Sequence, residues 1–238
     1  MNSMPSRGTP VTQNGHKHSK DDGHINDVLA FEQIRVLITR LHHAQREHPV
    51  RVLAVTSSTP GEGKTTIAAN IALVASKFFE QKTLLVDADF RRPNIAGLLK
   101  ASFSHGLSEV LRGTVQPVAA RWQLLDKPFT VLPLVKPDPS SIPLLSNPAA
   151  RARFQEAIEG FDLVVIDTPP TLPLADNYLI SDLVDGFIFV VKAEETPRQL
   201  IKSAIKSIPR NKLLGFVLNQ TRMFGSAAYG HFYYRPMY

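Results

Sequence analysis

The 238-residue sequence contains no cysteine, so disulfides, thiolate metal sites and cysteine nucleophiles are all excluded. It also lacks long apolar runs. Stretches such as Phe187-Ile188-Phe189-Val190-Val191 are strand-sized, far below the roughly 18–20 residues of a membrane-spanning helix. The first residues hold no apolar core of the kind a signal peptide needs, and the expected location is the cytoplasm, with the membrane reached only through a partner. Aromatics are few and unevenly placed: there is one tryptophan, and four of the five tyrosines fall in the last ten residues. The formal net charge of +6 suits an acidic partner, whether nucleotide, nucleic acid or anionic lipid, without choosing among them.

What the chain has in quantity is apolar residues, 43%, ample for one buried sheet. Residues 1–25 are poor in large side chains and rich in Ser, Gly, Pro, Asn, His and Lys, the composition of a disordered leader. His16, His18 and His24 read more simply as part of that solvated tail than as a metal site. From Asn26 to about residue 46, Val28, Phe31, Ile34, Leu37, Ile38 and Leu41 recur at helical spacing, with Asn26 or Asp27 as N-cap. A core of alternating strands and helices follows to residue 222. The expected fold is α/β, with a mainly parallel sheet covered by helices on both faces. Residues 223–238 form a separate tyrosine-rich tail.

The strongest local signal is Ser58-Thr59-Pro60-Gly61-Glu62-Gly63-Lys64-Thr65-Thr66, set between the apolar run Val52–Val55 and a segment with Ile67, Ile71, Val74 and Phe78 on one helical face. Strand, glycine loop and helix in that order make a phosphate-binding loop, so the expected α/β fold is that of a P-loop NTPase. Gly61 and Gly63 let the backbone turn its N–H groups inward, and the helix adds the positive end of its dipole. That dipole contributes only about 0.3–1 kcal/mol, so a nucleoside triphosphate also needs Lys64 on its β- and γ-phosphates and a Mg²⁺ ion on the Thr65 hydroxyl. Ser58 departs from the usual pattern, which has Gly there. A plain Gly-rich turn before a helix is the competing reading.

Two further strands end in acids. Lys82 to Val86 delivers Asp87 and Asp89, two residues apart and so expected on the same side of an extended chain, at the C-terminal edge where parallel sheets place ligands. A strand end merely paired with Arg91 and Arg92 is the alternative. Leu163 to Ile166 leads to Asp167, the Walker B form, which would hold Mg²⁺ through a water. Between them the middle of the chain reads as a short helix at Gly106 to Leu111, a strand at Phe129 to Val135, and a Pro- and Ser-rich loop from Pro137 entering a helix near Ala149. Trp122 reads as a packing residue.

Together, Thr59-Pro60-Gly61-Glu62-Gly63-Lys64-Thr65, Val86-Asp87-Ala88-Asp89-Phe90-Arg91, Ile166-Asp167-Thr168-Pro169-Pro170 and the terminal tyrosines resemble the bacterial tyrosine autokinases of capsule and exopolysaccharide synthesis, relatives of the MinD/ParA ATPases. The resemblance implies ATP and Mg²⁺ as cofactors, bound by Thr59 to Thr66, with Thr65, Asp89 and Asp167 on the metal. It implies catalytic roles for Lys64, Asp87 and Asp89, Asp87 being the base, and an adenine contact for Asn219 after the last strand. It also implies Tyr229, Tyr233, Tyr234 and Tyr238 as phosphoacceptors, a separate membrane chain-length determinant as activator, a homo-oligomer, an opposing phosphotyrosine phosphatase, and no nucleic-acid partner. The ring-forming pattern Glu-x-x-Arg-x-x-Arg is incomplete: Glu32 and Arg35 fit, but Ile38 stands in the third place, with Arg40 two positions on. Two rival functions are a MinD/ParA-like ATPase switch, which normally carries a Lys where Thr59 stands, and a non-catalytic ATP-binding regulator whose tail is a docking or packing segment.

Overall fold

A computed structural model describes residues 30–41, 50–124, 127–172 and 176–221. The leader, the ends of the first predicted helix, and the tail with Tyr229, Tyr233, Tyr234 and Tyr238 lie outside the described residues.

Helix α1 covers 30–41 and buries Ile34 and Ile38, one turn apart, as the spacing predicts. The core then runs β1 (Val52–Ser57), α2 (Lys64–Phe78), β2 (Thr83–Asp87), α3 (Ile95–Leu99), α4 (Leu107–Arg112), β3 (Trp122–Gln123), β4 (Thr130–Leu132), α5 (Pro148–Ala157), β5 (Leu163–Asp167), α6 (Asp176–Ser181), β6 (Gly186–Lys192), α7 (Arg198–Ala204) and β7 (Leu213–Asn219). The seven strands lie in the order β3-β4-β2-β5-β1-β6-β7, and only the short edge strand β3 is antiparallel to its neighbour.

Strands β1, β2 and β5 are buried along their whole length, which explains why they read as unbroken apolar runs rather than alternating ones. Alternate side chains feed two cores. Val52, Ala54, Leu84, Val86, Val164, Ile166, Phe187 and Phe189 face the layer with α4, α5, α6 and α7. Leu53, Val55, Leu85, Val165, Ile188 and Val190 face α1, α2 and α3. Each fully buried Val, Leu, Ile or Phe contributes about 1.5–3 kcal/mol, so the central strands anchor the sheet. Of the four residues expected on the buried face of α2, Ile67, Ile71 and Val74 are buried, whereas Phe78 is 46% exposed at the helix end, edge-on to Phe31 of α1.

Sequence and structure differ most in the middle of the chain. The strand expected over 129–135 closes at Leu132, because Pro133 has no N–H for the ladder and its carbonyl instead accepts from Leu107 N at the start of α4. The expected loop after Pro137 is a run of 3₁₀ turns, Pro139–Ser146, wound beside Asp138. Asp138 accepts from the hydroxyls of Ser140 and Ser141 and from Arg112. Although partial burial works the other way, these hydrogen bonds hold its carboxyl well below the usual range. Trp122 is the packing residue expected: its ring meets Phe103 edge-on, and its Nε1 donates to His105 O.

Candidate functional site

Strand β1 pairs with β5 and β6, and β5 with β2, so the loops leaving β1, β2 and β5 open side by side at one edge of the sheet. The register sets Asp167 beside both Val55 and Asp87. The two predicted acidic motifs are thereby brought under the glycine loop.

That loop occupies residues 58–63, and α2 begins at Lys64. Gly61 has φ 85° and Gly63 φ 91°, the left-handed conformation that favours glycine. Gly63 is also tightly approached, since a Cβ there would lie 2.1 Å from Asn219 Nδ2. Pro60, Gly61, Gly63, Lys64, Thr65 and Thr66 line an open cavity of about 650 Å³ that Asp89, Arg91, Arg92, Pro170, Leu172 and Gln220 help to close. Its size and its basic, loop-lined wall suit a nucleotide.

Lys64 Nζ donates to Asp89 Oδ2 at 3.1 Å, with the two side chains only 12% and 4% exposed. The Asp89 carboxylate thus supplies the negative charge that a buried ammonium requires. Its other oxygen accepts from Arg92 N. Asp87 is in different surroundings. It is fully buried and does not line the cavity, and its oxygens accept from the backbone N–H groups of Asp89, Asn94 and Ile95. Both carboxylates lie close enough to interact with Asp167, but only Asp89, past the end of β2 at Asp87, lines the cavity. Burial raises the Asp87 carboxyl from the ordinary 3.8 to about 8, and the charge of Asp167 adds to that rise, while the three N–H groups oppose it. Burial likewise raises Asp167, against the pull of the Lys64 ammonium and the Thr65 hydroxyl.

Asp167 is the feature that points to a metal. Both its carboxylate oxygens are buried without a well-formed hydrogen bond, the Thr65 hydroxyl and the Lys64 ammonium offsetting their charge from nearby, a costly arrangement unless something else takes them up. Thr65, Asp89 and Asp167 offer only hard oxygen donors, which fits Mg²⁺. Among the described residues no group of three or more His, Cys, Asp or Glu side chains could hold a metal ion by itself.

Not every predicted loop residue faces the cavity. Glu62 is 2% exposed, and its Oε2 accepts from Thr59 N, so that N–H is already spent. The Glu62 Oε1 accepts from the hydroxyl of Thr196, beyond β6. Asn219, at the end of β7, uses its Nδ2 to donate to Glu62 O at 2.9 Å and does not line the cavity, whereas Gln220 beside it does. Thr196 and Gln220 carry no sequence pattern that singles them out. The Ser58 side chain, where the pattern has Gly, is buried with its hydroxyl unpartnered. In α1, Glu32 and Arg35 pair with each other at 2.7 Å in solvent, and Ile38 points into the core at 1% exposure.

Comparison with known proteins agrees with this geometry. Residues 53–228 match the CobQ/CobB/MinD/ParA nucleotide-binding domain. The chain is 31% identical over 208 residues to the tyrosine-protein kinase YwqD of Bacillus subtilis, covering 86% of each protein. It is 35% identical over 190 residues to the succinoglycan biosynthesis transport protein ExoP of Rhizobium meliloti, covering 76% of this chain but 24% of that longer protein. Among solved structures, the kinase domain of the Escherichia coli tyrosine kinase ETK superposes with a TM-score of 0.75 at 30% identity, over 83% of this chain and 78% of that one. Together with the glycine loop, Lys64 and the three strand-end aspartates, these matches show that the chain belongs to the bacterial tyrosine-protein kinases of the CobQ/CobB/MinD/ParA nucleotide-binding class.

Proposed function

We propose that the protein is an ATP-dependent tyrosine autokinase that phosphorylates Tyr229, Tyr233, Tyr234 and Tyr238 and thereby controls the polymerisation and export of an exopolysaccharide or capsule. The observation that carries this reading is the Lys64–Asp89 pair facing the cavity above the orphaned Asp167 carboxylate.

Lys64 exchanges Asp89 for the β- and γ-phosphate oxygens when nucleotide enters, and the N–H groups at Gly61, Gly63, Lys64 and Thr65 cradle the phosphates. Thr65, Asp89 and Asp167 would hold Mg²⁺, which when bound would neutralise charge on the transferring phosphoryl group. A tyrosine with pKa near 10 is only about 0.1% ionised at pH 7, a handicap of about 4 kcal/mol if phenolate had to form first. A loose transition state needs the proton removed only late, and Asp87 is the acceptor in its ionised form, which the cationic charge of a nucleotide-loaded site would favour over the protonated form that burial favours in the empty one. Asn219 or its neighbour Gln220 meets the base. Sixteen residues beyond Arg222 span at most ~50–58 Å, enough to reach this site or a neighbouring copy's.

Regulation in this reading comes from a separate membrane chain-length determinant that activates the kinase at the inner face of the membrane, and from a phosphotyrosine phosphatase that reverses it. The acceptor tyrosine comes from the same chain or from a neighbouring copy in a homo-oligomer. No helix of the described residues is long and apolar enough to cross a membrane, which agrees with attachment through a partner. Lys64→Met tests the site: the variant should keep the fold, seen in an unchanged circular-dichroism spectrum, yet lose tyrosine phosphorylation by at least about a hundredfold. Persisting phosphorylation in the purified variant would refute the assignment.

A further inference from the structure

The buried Glu62 side chain has no place in this mechanism. It sits inside the phosphate loop, where a negative charge opposes phosphate binding, and it does not line the cavity. Each of its oxygens instead takes one neutral donor: Thr59 N from the start of the loop and the Thr196 hydroxyl from the segment between β6 and α7. Its backbone carbonyl takes a third, Asn219 Nδ2 from the end of β7. These contacts join chain segments 134 and 157 residues apart. The Asn219 side chain also packs so closely on Gly63 that only a hydrogen fits between them.

We propose that Glu62 is a positioning residue that clamps the phosphate loop to the Thr196 segment and to the end of β7, so that the phosphate and base ends of the nucleotide site are set as one unit. The inference rests on reading the cavity as a nucleotide site. Hydrogen bonds to a buried carboxylate are among the strong ones, and leaving either partner unpaired is costly. The favourable clamp therefore outweighs the repulsion between Glu62 and the phosphates. A buried charge without such donors would only weaken binding.

Calorimetric titration of the full chain with Mg·ADP tests the clamp in the wild type and in Thr196→Val, Glu62→Ala, Glu62→Gln and the Glu62→Ala/Thr196→Val double variant. Thr196→Val changes no cavity-lining residue and is nearly isosteric, so it stays informative even if Glu62→Ala folds poorly. The expected losses of affinity are about threefold for Thr196→Val and about tenfold for Glu62→Ala. The double variant should be no weaker than Glu62→Ala, because one alanine already empties the shared contact. Glu62→Gln should recover most of the loss, since an amide can accept from Thr59 N and donate to Thr196 Oγ1. In kinase assays the KM for ATP should rise more than kcat falls. ADP affinities within twofold of wild type for both single variants, fully multiplicative losses, or a Glu62→Gln as weak as Glu62→Ala would overturn the clamp. A wild-type chain that binds no Mg·ADP would overturn the nucleotide-site reading itself, and the clamp with it.

Discussion

The three strand-end aspartates divide the work of the site by their surroundings rather than by their chemistry. Asp89 faces the cavity and neutralises Lys64, Asp167 is buried with neither oxygen in a well-formed hydrogen bond, and Asp87 is buried under three backbone N–H groups. A carboxyl raised by burial costs stability as the pH climbs. Between about pH 4 and pH 8 the unfolded chain releases the Asp87 proton while the folded chain keeps it, so the nucleotide-free protein should lose stability across that window. Asp87→Asn removes this dependence. Its melting temperature should fall less than the wild type's between pH 5 and pH 8, by several degrees, in thermal melts without nucleotide. Equal slopes would show that Asp87 does not hold a raised pKa. Much at this scale was legible in the sequence. Gly61, Gly63, Lys64, Thr65 and Asp167 stand in a local pattern that dictates what they can do. The unlike settings of Asp87 and Asp89 were not legible, since they depend on which residue ends β2. The partners of Glu62 were hidden too, because Thr196 and Asn219 lie far along the chain and reach the loop only through the sheet.

At the level of elements, the strands that carry the site were legible because their chemistry is extreme. Apolar runs of strand length admit few readings, fewer still where they end in an acid as β2 and β5 do, and β1, β2, β5 and β6 all appear where such runs stand. The middle of the chain is weaker in pattern, and tertiary contacts decide it. Pro133 cuts β4 short, and the Asp138, Ser140, Ser141 and Arg112 network folds a predicted loop into 3₁₀ turns. The helix after those turns begins at Pro148, one residue before the predicted start, with Asn147 accepting from Ala149 N and Ala150 N as its N-cap. Asn147→Ala should cost about 1 kcal/mol of stability, seen as a midpoint shift in urea unfolding. The affinity for Mg·ADP should not change, because α5 contributes nothing to the cavity. An affinity loss of tenfold would mean that α5 and the site are coupled through the sheet.

For the molecule as a whole, the parallel sheet gathers three loop ends at one edge, and everything proposed for function follows from that placement. The same architecture serves ATPase switches, so the fold by itself does not choose between a kinase and a switch. Family membership favours the kinase, and Thr59 in place of the switch class's lysine agrees with it. Assembly through α1 is less well supported by its surface. The buried Ile38 cannot serve as the third exposed position of a ring contact, which leaves Glu32, Arg35 and the exposed Arg40. The most direct test of the central claim is peptide mass spectrometry of the purified chain before and after incubation with Mg·ATP and the cytoplasmic segment of a membrane activator. The account predicts phosphate on Tyr229, Tyr233, Tyr234 or Tyr238, absent in Lys64→Met. ATP turnover with no phosphate on any of these tyrosines would contradict it and favour an ATPase switch.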